Sequence, residues 1–311
     1  MPSYPLITLG SRFTTILKTF SHGDAVGEQT LSEALIQRVA DDQQVRFAGG
    51  SRDIFTPALT LWGFLAQVVS SSKSCVAAVA RVMVLRIGLS LPPCSANTGA
   101  YCKARHKLPE PFLRELTHAV GAAVEDQAPE SWRWHRHRVL LVDGFTCTLP
   151  DTKANQAVYP QPSSQKRGLG FPMIRAVVLL TFATAGVLDA ALGPYKGKQT
   201  GESALFRQLF DRLRPGDVVV ADRYYCSYWL IVLLQQRGVA VVFRLHQLRH
   251  YDFARGRRLG ADDHIVEWSK PRPSAPASLP PLPPRTRQYT CTHHSPQFAK
   301  LPQAGPSSQL G

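Results

Sequence analysis

Two short apolar runs, each closed by an aspartate, dominate the hydrophobic pattern of the chain. Val139-Leu140-Leu141-Val142 leads into Asp143-Gly144, and Val218-Val219-Val220-Ala221 leads into Asp222-Arg223-Tyr224-Tyr225. Consecutive β-branched and aliphatic residues bounded by turn or charged residues predict strands buried on both faces. Between and around them, Met173 to Phe182 and Gly186 to Leu192 predict two strands joined by a tight turn at Ala185-Gly186. Leu205, Leu209 and Leu213, with Phe206 and Phe210, recur at four-residue steps and predict an amphipathic helix over Glu202 to Leu213. Tyr228 to Gln236 predicts a second helix closed by Gly238, and Val239 to Arg244 a fifth strand. The order is three strands, helix, strand, helix, strand. It predicts a mixed α/β sheet with antiparallel strands first and crossover connections later.

Before Arg138 the period is helical. Thr30-Leu31-Ser32-Glu33 fits a capping box, and Leu31, Leu35 and Val39 follow at helical spacing. Thr56-Pro57 predicts a helix start with proline in the first turn, carrying an apolar stripe at Leu61, Phe64, Leu65 and Val68. Val76 to Leu91 reads as a helix closed by Pro92-Pro93, Asn97-Thr98-Gly99 as a loop, Tyr101 to Pro109 as a short basic stretch, and Phe112 to Val124 as a further helix. Residues 1–130 are therefore expected to be an all-helical region, and 131–250 the α/β core. Residues 251–273 are basic and turn-rich, with a short strand at His264 to Trp268. Residues 274–311 are rich in Pro and Ser and lack apolar periodicity. Such a tail cannot bury enough apolar surface to offset ordering and is expected to be disordered.

Charge adds a partner class. A net charge of +14 and a pI near 9.8 favour an acidic partner, of which nucleic acid is the commonest. A basic helical region suits DNA contact, although helical domains serve many other ends. The six cysteines form no C-x-x-C pair, so reduced thiols are expected rather than a zinc site or disulfide framework. The longest apolar stretches are interrupted by Arg81 and Arg86, or broken at Arg237-Gly238. No membrane span or signal peptide is expected.

Candidate chemistry centres on Asp143 and Asp222. Hard divalent ions take carboxylate oxygens, and magnesium keeps waters for reaction. Two carboxylates at the rim of one sheet are suited to hold such ions for phosphoryl displacement. Each also has a plainer reading, a strand-terminal aspartate that caps a turn, and Asp143-Gly144 is itself a common turn signal. The long polar segment from Asp151 to Pro172 is either a solvated connector or a DNA-facing loop. In the latter case Lys166 and Arg167 would meet phosphates, with Gln or Tyr near bases. Lys196 and Lys198 carry a similar basic signal. Arg223, Tyr224 and Tyr225 could hold a phosphate and stack a base, although such aromatics are more often core.

As an ordered set, several of these motifs resemble a known family. Thr98-Gly99-Ala100-Tyr101-Cys102 with Ala104-Arg105, Val142-Asp143-Gly144, Asp151-Thr152 with Asn155, Tyr159-Pro160-Gln161, Gly168 to Pro172, Gly193-Pro194 and Ala221-Asp222-Arg223-Tyr224 together resemble bacterial insertion-sequence transposases of the IS-four group. The resemblance runs from about Arg52 to Pro273. It implies a ribonuclease-H-like core with a DDE triad and Mg²⁺ or Mn²⁺, a helical DNA-binding region before it, and a β-rich insertion beginning at 251–273. It implies that Asp143 and Asp222 are the first two triad carboxylates and metal ligands. The third should be a glutamate in a Tyr-x-x-Arg-x-x-x-Glu-x-x-x-x-x-x-Lys stretch, which this sequence does not contain; a truncated or frameshifted copy is the expectation. The implied activity is DNA transposition on double-stranded DNA, at element terminal repeats and target, in the cytoplasm and nucleoid of a bacterium. A homodimer is within what the resemblance allows. The alternative is an inactive DNA-binding remnant that inhibits an intact transposase.

Overall fold

The computed structural model describes residues 30–47, 54–88, 90–166, 168–245, 252, 254–260, 263–269 and 289–292. The chain divides into two compact units, Met1–Asp126 and Gln127–Gly311.

The described elements of the first unit are helices: α1 (Glu33–Asp42), α2 (Pro57–Val69), α3 (Cys75–Gly88), α4 (Gly99–Arg105) and α5 (Glu110–Asp126). Helix starts follow local side-chain chemistry. Thr56 accepts the Leu59 amide at 3.2 Å, and Pro57 occupies the first turn, where its missing N–H is no loss. The expected cap at Thr30 falls instead on Ser32, whose hydroxyl accepts the Leu35 amide at 3.2 Å. Ile36, Val39 and Ala40 pack with Ala58, Leu61, Phe112 and Leu116 in one cluster. The short basic stretch from Tyr101 begins within α4. There Tyr101 is fully buried, donating its hydroxyl to Gln67 Oε1 at 2.7 Å, and Arg105 donates to the same oxygen at 3.0 Å.

The second unit is built on β1 (Val139–Thr148), β2 (Met173–Thr181), β3 (Val187–Pro194), β4 (Val218–Ala221) and β5 (Ala240–Phe243). They form one sheet in the order β3-β2-β1-β4-β5. The pairs β1–β2 and β2–β3 are antiparallel, and β4 lies parallel to both β1 and β5. This is the mixed α/β sheet expected from the order of elements. Helix α6 (Lys153–Val158) lies in the β1–β2 connection, α7 (Glu202–Gln208) leads to β4, and α8 (Tyr228–Gln236) joins β4 to β5. The expected helix over Glu202 to Leu213 tightens into a 3₁₀ turn at Phe210–Arg212, ahead of Pro215, which cannot continue it.

Parity along the strands decides the core. Leu140, Val142, Val177, Leu179 and Val219 point to one face and pack against Leu205, Phe206, Leu209, Leu230 and Leu234. Burying each such side chain contributes about 1.5–3 kcal/mol. The opposite face carries Leu141, Val178, Val220 and Val242, which the described residues leave half-buried. At the start of β1 and β4, Arg138 and Asp217 form a buried bidentate pair, Nε to Oδ1 at 2.9 Å and a terminal nitrogen to Oδ2 at 2.6 Å. The Arg214 amide adds a hydrogen bond to Asp217 Oδ2 at 2.7 Å.

A second, small sheet joins β6 (Arg257–Arg258), β7 (Asp263–Val266) and β8 (Tyr289–Thr292) in that order. The disorder expected of residues 274–311 lies mostly outside the described residues. Residues 289–292 depart from it, because their backbone pairs antiparallel with β7.

Candidate functional site

The site is placed by the parallel pairing of β1 with β4. Val142 lies opposite Ala221 in the last register pair, so the next residues, Asp143 and Asp222, share one end of the sheet on neighbouring strands. Both side chains are exposed. Each spends one oxygen on local backbone: Asp143 Oδ1 accepts the Gly144 amide, and Asp222 Oδ1 accepts the Tyr224 amide, both at 2.8 Å. For Asp222 the turn-capping reading therefore holds beside the chemical one. For Asp143 it does not. Asp143-Gly144 forms no turn, because β1 continues through Thr148 paired with β2. Asp143 thus ends the parallel ladder but not its own strand.

Gly144 has a different reason to lack a side chain. A Cβ there would come within 2.5–2.9 Å of the side-chain atoms of Glu202, the first residue of α7. Glu202 therefore lies directly over the backbone next to Asp143. Beneath this end of the sheet sits Tyr225, fully buried, its ring edge-on to Phe206 at 5.8 Å. Among the described residues the buried Tyr225 hydroxyl has no hydrogen-bond partner. Burial pushes this phenol well above its ordinary range, and the charges of Glu202, Asp143 and Asp222 raise it further. The sequence patterns did not single out Glu202, while Tyr225, read there as either a stacking ring or core, is core. The only clue in the sequence was a glutamate at the start of an amphipathic helix, which is common at any first turn.

The candidate DNA-contacting residues fall at this end of the sheet or beyond it. Arg223 and Tyr224 follow Asp222 and are exposed. Tyr224 is not core, although its ring lies edge-on to Tyr225 at 5.9 Å. Lys196 and Lys198 are exposed in the turn after β3, which runs parallel to β1 and ends on the same side. That turn is held by Arg175, which donates to the Thr200 carbonyl at 2.8 Å and stacks over Tyr195 at 4.8 Å. Lys166 is exposed in the β1–β2 connection, and the five residues from Gly144 to Thr148 extend β1 toward it by about 17 Å. Arg167 lies outside the described residues. The glutamines expected near bases are turned inward instead. Gln156 donates to Asp151 Oδ1 and the Gly170 carbonyl, at 2.8 and 3.0 Å. Gln161 donates to the Lys166 carbonyl at 2.9 Å and accepts the Gly168 amide at 3.1 Å. A long loop must satisfy its own backbone, and these amides do so.

Carboxylate oxygens are the donors that Mg²⁺ or Mn²⁺ prefers, so the chemistry of Asp143 and Asp222 fits such an ion. Among the described residues no three His, Cys, Asp or Glu side chains are gathered closely enough to hold one as they stand. No described helix is long and apolar enough to cross a membrane.

Residues 134–278 match the family described as Transposase DDE domain, a span that contains both aspartates, Glu202 and the whole five-stranded sheet. The chain is 24% identical over 106 residues to the Escherichia coli (strain K12) protein named "Putative transposase InsZ", a match covering 34% of each chain. The chain thus spans about a third of the length of that relative. Among solved structures, that of a piggyBac transposase synaptic complex with hairpin DNA aligns with a TM-score of 0.33 and 12% identity, over 78% of this chain and 57% of that one. The domain match and the curated relative together support a DDE transposase.

Proposed function

We propose that this chain is a DNA transposase of the DDE class, resembling the IS-four group. It would cut and rejoin insertion-element ends by metal-dependent phosphodiester chemistry. The observation that carries the reading is the β1–β4 register, which makes Asp143 and Asp222 neighbours at one sheet end. In this reading water attacks phosphorus at the element end, the P–O3′ bond breaks, and the released 3′ oxygen takes a proton. The new 3′-hydroxyl then attacks a target phosphodiester and displaces its 3′ oxygen. Asp143 and Asp222 would hold Mg²⁺ or Mn²⁺. When bound, such ions supply stabilisation of the attacking and leaving oxygens of an in-line displacement. Lys166, Arg167, Lys196, Lys198 and Arg223 supply positive charge for the DNA backbone, and Tyr224 an exposed ring for stacking. The helical first unit serves as a further DNA-binding region, and double-stranded DNA is the partner.

The test is Mn²⁺-dependent cleavage of DNA bearing element ends by the full chain and by Asp143→Ala. Cleavage by the wild type alone supports the reading; equal cleavage by both ends it. One observation favours a second reading, a DNA-binding protein that does not cleave and inhibits an active transposase. It is the lack of a gathered third ligand among the described residues. Under that reading the wild type retards end DNA in a gel and cleaves none.

A further inference from the structure

The structure brings a further carboxylate to the end of the sheet that carries Asp143 and Asp222. Three observations single out Glu202. First, its side chain occupies the space that a Cβ on Gly144 would fill, 2.5–2.9 Å from that position, so it lies against the residue next to Asp143. Second, none of Asp143, Asp222 and Glu202 is ion-paired among the described residues, whereas Asp217 and Asp189 are, with Arg138 and Arg212. In a chain with 36 Lys and Arg against 22 Asp and Glu, unpaired acids at one sheet end are not a surplus of acid. Carboxylates near one another repel unless a cation joins them. Third, the fully buried Tyr225 hydroxyl has no hydrogen-bond partner among the described residues and sits within electrostatic reach of all three carboxylates. A buried hydroxyl left unpaired is unfavourable. A carboxylate drawn toward a bound ion, or a water of that ion, gives it an acceptor.

We propose that Glu202 is the third carboxylate of the site and holds the divalent cation together with Asp143 and Asp222. This rests on the transposase reading only for the identity of the ion as Mg²⁺ or Mn²⁺. Helix α7 fixes the Cα of Glu202 through Leu205 and Phe206, both buried against the sheet. The flexible side chain is what moves from its place over Gly144 toward the aspartates. Glycine at 144 leaves that path open.

The experiment is Mn²⁺ binding to the full chain, read from the electron paramagnetic resonance signal of the free ion and from the rise in melting temperature on adding Mn²⁺. Wild type, Asp143→Asn, Glu202→Gln and Asp211→Asn are compared, the last removing an exposed charge elsewhere in the same unit. Glu202→Gln is expected to weaken Mn²⁺ binding at least about tenfold, as metal-site changes commonly do, in line with Asp143→Asn, while Asp211→Asn binds as wild type does. Wild-type affinity in Glu202→Gln, with binding lost in Asp143→Asn, overturns the role of Glu202 and leaves the transposase reading standing. No Mn²⁺ binding by the wild type overturns both. Should Glu202→Gln not fold, Glu202→Asp takes its place: weakened binding at an unchanged melting temperature supports the proposal, and unchanged binding overturns it.

Discussion

Strand β4 carries an aspartate just beyond each end, and the two live in opposite environments. Asp217 precedes the strand and is 3% exposed, gripped by Arg138 and by the Arg214 amide. Asp222 follows the strand and is exposed, with no ion pair among the described residues. The same residue type is a buried structural clamp at one end and an exposed carboxylate at the other. One end ties β1 to β4, so that the register is fixed. The other end uses that register to set two carboxylates side by side. Stability and chemistry are thus separated along four residues of strand.

Breaking the clamp should have the largest effect. Asp217→Ala leaves the Arg138 guanidinium buried without its partner, and loss of one member of such a pair costs about 3–5 kcal/mol. Urea unfolding should show this, while Asp222→Ala changes stability by no more than about 0.5 kcal/mol, as exposed substitutions usually do. Equal losses would erase the distinction between the two ends. Next comes Tyr225→Phe, which removes a buried hydroxyl without a partner and should stabilise the metal-free protein by about 1–3 kcal/mol. Its pH dependence sharpens the point. The Tyr225 phenol is raised above its ordinary 10.0 in the folded state, so the folded protein keeps a proton that the unfolded chain releases above that pH. Stability therefore falls as pH rises past about 10, and Tyr225→Phe should flatten that fall in melts across the alkaline range. A smaller loss than that at Asp217 is expected from Ser227→Ala. Ser227 caps α8 by accepting the Leu230 amide at 3.3 Å, just after Asp222. Its loss should cost about 1 kcal/mol in thermal unfolding, with Mn²⁺ binding unchanged.

Much of the second unit was legible in the sequence because its signals are local. Tyr228–Gln236 forms the helix that its apolar run predicts, and Met173–Thr181 the strand. Boundaries failed where pairing, not composition, sets them. β1 runs on through Asp143-Gly144-Phe145-Thr146-Cys147-Thr148, a stretch with turn signals and exposed side chains. It is a strand because β2 supplies the hydrogen bonds. The crowding at Gly144 is likewise invisible in the sequence, because the side chain that fills the space there belongs to Glu202, far along the chain. A polar loop reads in sequence as solvated or DNA-facing, and only the fold shows that its backbone claims the amides of Gln156 and Gln161.

The sequence by itself determined the order of elements, the mixed character of the sheet and the two aspartates worth attention, because hydrophobic periodicity and strand-end position are properties of neighbouring residues. Tertiary structure alone decided which acids come near one another. Asp143, Glu202 and Asp222 are separated by long stretches of chain. The parallel pairing of β1 with β4 makes Asp143 and Asp222 neighbours, and the packing of α7 on β2 and β3 sets Glu202 over Gly144.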